Sequence, residues 1–434
     1  MRRIAKAFAF MVAERGWHQV IIGRDNRKSS PRIRDLVVEE LTESGMDVLD
    51  LGVVVTPVFY FAGRHLDINA GLMITASHNP AEYNGFKVLL GETTIYGEEI
   101  QRLRRLAEQG ASVSGVKGSV SYQDIGPAYI SFIKERVRMG PRRLKVVVDC
   151  GNGTASLFAP RLFREMGCDV VELFCESDPD FPNHHPDPVK VENMQELIRV
   201  VKAEGADLGI GLDGDGDRLG VVDPSGEIIW GDMLMILFWR EILPRYPGSQ
   251  CIVEVKCSQA LIDEIERLGG HPVLYKTGHS LIKAKMREIG AVFTGEMSGH
   301  IFFADEYYGF DDALYAAARL LRILSNSNQS LAQMLADVPK YFATPEIRVK
   351  STDEEKFKVV GRVLEHFATR YQVIDVDGAR IIFDDGWGLV RASNTGPELI
   401  LRCEGRTPEG LARIKDELFG FLGQIGVKVR EEYC

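Results

Sequence analysis

The chain of 434 residues is 45% hydrophobic and 26% charged, ordinary globular material that is too long for one core and is expected to split into three or four domains. Its net charge of −10 argues against a general nucleic-acid or acidic-membrane partner, and no apolar run approaches the roughly 20 residues of a membrane span. Seven cysteines (150, 168, 175, 251, 257, 403 and 434) form no C-x-x-C pair, an odd and scattered set that suits reduced thiols and a cytoplasmic setting.

In chain order, Met1 to Arg15 has a basic start, but Glu14 and Arg15 cut its apolar part short and the spacing is helical. It reads as an amphipathic helix, not a signal peptide. Gln19 to Asp25 is a buried strand ending in a polar loop, Ser29-Ser-Pro31 caps a helix to Ser44, and Gly45 to Leu51 is the next strand. The same grammar returns twice. Leu144 to Asp149 leads through Gly151-Asn-Gly153 into a helix and then Gly167 to Leu173; Cys251 to Val255 leads through Lys256-Cys-Ser258 into Gln259 to Leu268 and then Gly269 to Leu274. Strands alternating with helices of this length make parallel α/β units joined by right-handed crossovers.

Each repeat has a third strand whose exit loop carries unusual chemistry. Asn69 to Ile74 exits into Thr75-Ala-Ser-His-Asn-Pro80, Asp207 to Leu212 into Asp213-Gly-Asp-Gly-Asp-Arg218, and Gly290 to Phe293 into Thr294-Gly-Glu-Met-Ser-Gly-His300. Ligands bind at the carboxyl ends of strands in such sheets, so the three loops are expected to converge on one cleft.

In the first loop Ser77 is either a hydrogen-bonding turn residue or a displayed nucleophile. Asn84-Gly-Phe-Lys87 brings an ammonium onto the neighbouring strand, suited to neutralising a phosphoryl group on Ser77. A Ser77–His78 hydrolase dyad is disfavoured, because a base adjacent in sequence rarely points at its neighbour in an extended loop. In the second loop, alternation puts Asp213, Asp215 and Asp217 on one side while Gly214 and Gly216 let the backbone bend around a hard cation. A solvated turn is the plainer reading of Asp-Gly-Asp-Gly. An EF-hand fails on spacing, since Arg218 stands where glycine is needed and Pro224 where a bidentate Glu is needed. Arg218 beside such a site suits a phosphate oxygen.

In the third loop Glu296, Ser298 and His300 alternate and are expected to share one side, offering acceptors and a hydroxyl to vicinal diols. His279, one strand away, suits a helix-cap or core role as well as a functional one. From Thr344 the texture turns antiparallel: Thr344 to Val349, a helix from Asp353 to Tyr371, then Gly378 to Phe383 and Gly388 to Ser393. This smaller fourth domain carries Arg391-Ala-Ser-Asn-Thr-Gly396, a plain turn or a phosphate loop built from Arg391, Ser393, Asn394 and Thr395. The expected domains are 1–123, 124–224, 225–339 and 340–434. The expected class is α/β, three related units with mixed, largely parallel sheets and a smaller α+β fourth domain around a central cleft.

The four loops, in this order and at about these distances, resemble those of the α-D-phosphohexomutase family, and the Glu-Met-Ser form of the third is similar to its phosphomannomutase/phosphoglucomutase branch. Phosphoglucosamine mutases of the family usually have Gln where Met297 stands. The resemblance covers nearly the whole chain. It implies a phosphorylated Ser77, Mg²⁺ held by Asp213, Asp215, Asp217 and the phosphoserine, and a hexose 1,6-bisphosphate activator. It further implies Lys87 and Arg218 at the transferring phosphoryl group, His300 as general base, and Lys256 and His279 on sugar or phosphate. The substrates it implies are hexose 1- and 6-phosphates, and the expected chain is a monomer or weak dimer with no nucleic-acid or membrane partner. A phosphoglucosamine mutase and a weakly active or non-catalytic sugar-phosphate binder are the alternatives; no G-x-x-x-x-G-K-[ST] nucleotide loop is present. Family members usually begin with a strand and loop resembling F-R-x-Y-D-I-R-G, which has no counterpart before the first helix here. The expectation is that the sequence starts at an internal methionine or that the chain is a shortened member.

Overall fold

A computed structural model describes residues 1–113, 115–394 and 396–430. Helix α1 (Arg2–Ala13) buries Ala5, Phe8, Ala9 and Val12, the i, i+3, i+4, i+7 face that its spacing predicts, against helices α2 (Ser30–Glu43) and α4 (Glu98–Gln109). Strands β1 (Gln19–Arg24), β2 (Asp47–Val53) and β3 (Ala70–Ile74) pair in parallel around central β1. Antiparallel β4 (Phe86–Leu90) and parallel β5 (Val120–Tyr122) form the edges, and α3 (Thr56–His65) runs between β2 and β3. The Ser29 side chain does not cap α2; its Oγ accepts from Asn84 Nδ2 at 2.8 Å.

The second unit repeats this plan. Helix α5 (Gly126–Arg136) precedes β6 (Lys145–Asp149), α6 (Ala159–Glu165), β7 (Asp169–Leu173), α7 (Gln195–Glu204) and β8 (Leu208–Leu212), with β6 parallel to both β7 and β8. Antiparallel β9 (Leu219–Val222) and β10 (Ile228–Ile229) complete the sheet beyond the aspartate loop.

The third unit is mixed, as expected, but its strands fall in two separate pairs. After α8 (Gly231–Ile242), β11 (Gln250–Glu254) and β12 (His271–Tyr275) are parallel and flank α9 (Gln259–Arg267). The strand after α10 (His279–Ile289), β13 (Phe293–Gly295), folds back as an antiparallel hairpin with β14 (Ile301–Phe303). Only three residues long, β13 is tied to β11 through Thr294 Oγ1, which donates to Ile252 O at 2.8 Å. Helices α11 (Ala313–Ser325) and α12 (Leu331–Met334) close the unit. The fourth unit is antiparallel throughout. Its β15 (Phe342–Ala343), β16 (Ile347–Lys350), β17 (Gln372–Ile374), β18 (Ala379–Phe383), β19 (Gly386–Ala392) and β20 (Glu398–Gly405) are backed by α13 (Glu355–Phe367) and α14 (Pro408–Gln424).

One continuous core joins the first three units, with Phe59, Phe61, Tyr129, Trp239 and Tyr315 all buried in it, so their loops are held in fixed relation. The fourth unit has its own core and meets the third through Val255, Trp387 and Leu389. There Arg380 is fully buried, stacks 3.9 Å above the Trp387 ring and donates to Val255 O at 2.6 Å. No helix among the described residues is long and apolar enough to cross a membrane.

Asp312 caps α11 and gathers Tyr129, Tyr307 and the Tyr315 N–H at 2.7 to 2.9 Å. Burial nevertheless pushes its carboxyl up to about 6, against the pull of those donors. A carboxyl raised on folding binds protons preferentially in the native state, so its contribution to stability is full below about pH 4 and is lost as pH rises through about 6. The unfolding free energy of wild type, taken relative to Asp312→Asn, is expected to fall by up to about 3 kcal/mol between pH 4 and 7.5. Urea unfolding at several pH values checks this; a flat or rising difference refutes it.

Candidate active site

Three loops meet at one place, and the fourth-unit loop docks on the segment that holds Glu296. The loop after β3 holds Ser77 at φ 51°, an uncommon left-handed conformation for a non-glycine residue. Several contacts fix it. Ser77 N donates to Thr75 Oγ1 at 3.0 Å, and the buried Arg27, paired with Asp25 at 3.0 Å, donates to the carbonyls of Ser77 and Asn79 at 2.7 Å each. Ser77 Oγ lies 2.8 Å from Asp213 Oδ2 and 3.1 Å from His78 Nδ1. The second contact corrects the expectation that His78 does not point at its neighbour: in the tight turn expected for Ser77 the adjacent side chains converge. Burial, with Arg218 nearby, lowers His78 to about 3, so its ring is neutral at pH 7.

Asp213, Asp215 and Asp217 are fully buried, and their carboxylate oxygens lie within 4.8 Å of one another. Gly214 permits the approach to the serine loop, since a Cβ there would sit 2.5 Å from Ser77 O, and Gly216 takes φ 74°. Asp213 Oδ1 accepts from the N–H groups of Asp217 and Arg218 at 2.9 and 3.1 Å. Asp215 Oδ2 accepts from Thr56 at 2.6 Å and Thr75 at 3.1 Å. Lys87 lies in the same cluster that Ser77 Oγ touches through Asp213. Its ammonium bridges Asp215, at 2.8 Å, and Asp217, because buried carboxylates claim the nearest cation.

These residues fit a divalent cation. Burial, with Asp217 and Asp215 beside it, pushes the Asp213 carboxyl well up. Burial works in the same direction on Asp215, but Lys87, Thr56 and Thr75 hold it below the usual range. Asp215 Oδ1 and Asp217 Oδ1 are buried with no hydrogen-bond partner among the described residues. Such an all-oxygen donor set suits a hard cation.

The third loop is a hairpin turn. Glu296 N donates to His300 O at 2.8 Å and Gly299 N to Glu296 O at 3.0 Å, so Glu296 and His300 oppose each other across the turn and their side chains lie on one side, as the alternation predicts. Glu296 is buried, accepts from Gly278 N at 2.6 Å and is raised by that burial; Ser298 is half-buried at the turn. His300 turns toward the aspartate loop, where its Nε2 accepts from Arg218 Nε at 3.0 Å. Its ring stacks on His279 with centroids 5.3 Å apart. Lys256 is buried and pairs with Glu346 of the fourth unit at 2.9 Å.

The fourth-unit loop docks beside Thr277. Arg391 Nε donates to Asp377 at 2.9 Å, Thr277 N donates to the same carboxylate at 3.0 Å, and Asn394 Nδ2 donates to Thr277 O at 3.2 Å. One Arg391 nitrogen, Nη2, is buried with no hydrogen-bond partner among the described residues, a donor aimed at a missing acceptor. Ser393 is buried, its carbonyl held by Lys356 at 2.9 Å. Thr395 lies outside the described residues.

Sequence reasoning missed Arg27, Asp377, Glu346 and the buried pair Lys283–Asp311, 2.8 Å apart behind the histidines. Arg27 carried a signal, a charge two residues after Asp25 in the first strand-to-helix loop. Asp311 carried another, since Asp311-Asp312 opens an apolar helix that needs only one cap.

Four phosphoglucomutase/phosphomannomutase domain families match the chain: α/β/α domain I over residues 1–113, domain II over 127–226, domain III over 230–342 and the C-terminal domain over 346–420. A phosphomannomutase/phosphoglucomutase from Pseudomonas aeruginosa is 47% identical over 414 residues, 95% of this chain and 89% of that protein. A phosphoglucomutase from Neisseria gonorrhoeae is 43% identical over 420 residues, 95% and 90% of the two chains. The crystal structure of a phosphoglucomutase/phosphomannomutase family protein from Burkholderia thailandensis superposes with a TM-score of 0.93 at 41% identity, covering 99% of this chain and 94% of that one.

Proposed function

The chain belongs to the phosphoglucomutase/phosphomannomutase family, and from that premise we propose that it interconverts hexose 1-phosphates and hexose 6-phosphates of glucose and mannose through a phosphorylated Ser77. The observation that carries the reading is Ser77 Oγ, 2.8 Å from a carboxylate of the three-aspartate cluster and backed by cationic Lys87 and Arg218. A phosphoryl group on Ser77 Oγ passes to the free hydroxyl of a bound hexose 1-phosphate: the P–Oγ bond breaks, a P–O bond to the sugar forms, and the hydroxyl proton leaves to His300. The bisphosphate turns over in the cleft, and its other phosphoryl group returns to Ser77.

Arg391, with Ser393, Asn394 and Thr395, holds whichever phosphate is distal, the unpaired Arg391 Nη2 supplying a ready donor. Glu296 and Ser298 grip sugar hydroxyls, and Lys256 and His279 complete the sugar-phosphate cradle. Asp213, Asp215 and Asp217, with a phosphoserine oxygen, would hold a divalent cation, which we take to be Mg²⁺; when bound it supplies neutralisation of the charge on the transferring group. A hexose 1,6-bisphosphate would act as activator by loading Ser77.

The Ser77–His78 contact favours one competing reading, a phosphatase. Incubation with Mg²⁺, mannose 1-phosphate and a trace of glucose 1,6-bisphosphate separates the two: mannose 6-phosphate means mutase, inorganic phosphate means phosphatase, and neither means a binder. Because Met297 stands in the sugar loop, mannose and glucose 1-phosphates are expected to be used well and glucosamine 1-phosphate at least about 10-fold less efficiently. Comparable kcat/KM for all three would overturn the substrate assignment.

A further inference from the structure

Arg218 Nε–H can only donate, so the His300 Nε2 facing it at 3.0 Å must accept, and the neutral ring then carries its proton on Nδ1. That Nδ1 is buried and faces two carboxylate oxygens, Asp311 Oδ2 at 3.4 Å and Asp217 Oδ1 at 3.6 Å. The Nδ1 of the stacked ring, His279, lies 3.3 Å from the same Asp311 Oδ2. Among the described residues none of these buried atoms, His279 Nδ1, His300 Nδ1 and Asp311 Oδ2, makes a hydrogen bond by geometry, so the contacts at 3.3 and 3.4 Å bring together three polar atoms that each lack one. The other carboxylate oxygen of Asp311 is fixed by Lys283, 2.8 Å away, whose ammonium lies 4.4 Å from the centre of the Tyr60 ring.

We propose that Asp311 is a positioning residue that sets the tautomer of both active-site histidines, holding His279 and His300 as Nδ1–H so that each Nε2 keeps its lone pair, which at His300 accepts from Arg218 until a sugar hydroxyl takes that place. The proposal rests on the mutase reading, in which the proton of the attacking sugar hydroxyl goes to His300. Asp217 cannot do this alone, because the proposed cation and Lys87 draw on its carboxylate. Asp311 touches neither the aspartate cluster nor Ser77 in any hydrogen bond or ion pair found among the described residues. Burial supports the neutral ring at His279, which is lowered to about 4 against the pull of Asp311.

Asp311→Asn keeps the shape and reverses the polarity. Lys283 demands an acceptor, so the amide oxygen faces it and the amide N–H₂ faces the two rings; their Nδ1 atoms must then accept, and each proton moves to Nε2. At His300 that proton meets Arg218, donor against donor. With ¹⁵N-histidine-labelled full-length protein in Mg²⁺ at pH 8, ring nitrogen shifts report the tautomers, and the signals are assigned by their loss in His279→Gln and His300→Gln. Wild type is expected to show Nδ1–H at both rings. Asp311→Asn is expected to show Nε2–H at both, with kcat down about 10²- to 10⁴-fold and KM for mannose 1-phosphate within about threefold. Nε2–H at either wild-type ring, unaltered tautomers in the variant, or an unaltered kcat would each overturn the proposal. The wild-type spectrum decides even if the variant does not fold. Expected tautomers in a protein without mutase turnover would sink the mutase reading and leave the positioning intact.

Discussion

Ser77→Ala is expected to remove mutase turnover by at least about 10³-fold, because it deletes the oxygen proposed to carry the phosphoryl group. Binding of mannose 1-phosphate should change by no more than a few fold, since the Arg391 loop proposed to take the distal phosphate belongs to another domain. The left-handed conformation of residue 77 provides a control on folding. Alanine keeps the strain of φ 51° and loses the bond to Asp213, whereas glycine takes that conformation freely. Ser77→Gly should therefore be more stable than Ser77→Ala by about 1 kcal/mol and equally inactive. Intact-mass analysis of wild type should show a fraction carrying one phosphoryl group. Substantial turnover by either variant, measured after prolonged chelation and re-addition of Mg²⁺, would remove Ser77 from the mechanism.

How much of this was legible in the sequence depends on the kind of contact. The repeated strand–helix–strand grammar located the exit loops, because apolar strands and the loops at their carboxyl ends are local patterns. Asp213, Asp215 and Asp217 were legible together, since their spacing and the intervening glycines already force three carboxylates close. The third loop was legible only in part. Alternation puts Glu296 and His300 on one side, and the hairpin closed by Gly299 at φ 87° keeps them so as an opposed pair, but their partners, Gly278 and Arg218, come from other segments. Lys87 was placed beside the right loop but not on its partners, because which carboxylates claim an ammonium is decided across two domains. Arg27, Asp377 and Asp311 were hidden because most of their partners are far along the chain: Arg27 reaches carbonyls 50 to 56 residues on, Asp311 reaches Lys283 28 residues back, Asp377 meets Arg391 and Thr277 14 and 100 residues away, and only packing brings them together. In the fourth unit β20, which pairs with β15, β16 and β19, escaped notice because a central antiparallel strand has no signature beyond its apolar residues.

The second large effect is expected at Asp215. Its Oδ2 is taken up by Thr56, Thr75 and Lys87, while its Oδ1 is buried without a partner among the described residues. A divalent cation would answer that orphaned oxygen, and three carboxylates around one ammonium leave the charge that such a cation neutralises. Asp215→Asn keeps the shape and an acceptor for Thr56 but removes one negative charge, so divalent-metal affinity should fall on the order of 10²-fold, and turnover at a fixed low Mg²⁺ concentration by a similar factor. Thermal or urea unfolding gives a readout independent of activity. At a metal concentration about 100 times the wild-type Kd, binding to the native state adds about 2.7 kcal/mol; a variant with about 100-fold weaker binding gains only about 0.4 kcal/mol under the same conditions. The metal-induced stabilisation should thus nearly vanish in Asp215→Asn while the metal-free forms remain similar. If the variant keeps the full metal-induced shift, or if chelator-treated wild type turns over at full rate without added metal, the three aspartates serve the fold and not a cation. Lys87, bridging Asp215 and Asp217, would then be their directly paired counter-ion, and Lys87→Met should destabilise the protein far more than Asp215→Asn does, because it strips both carboxylates of that partner in the interior.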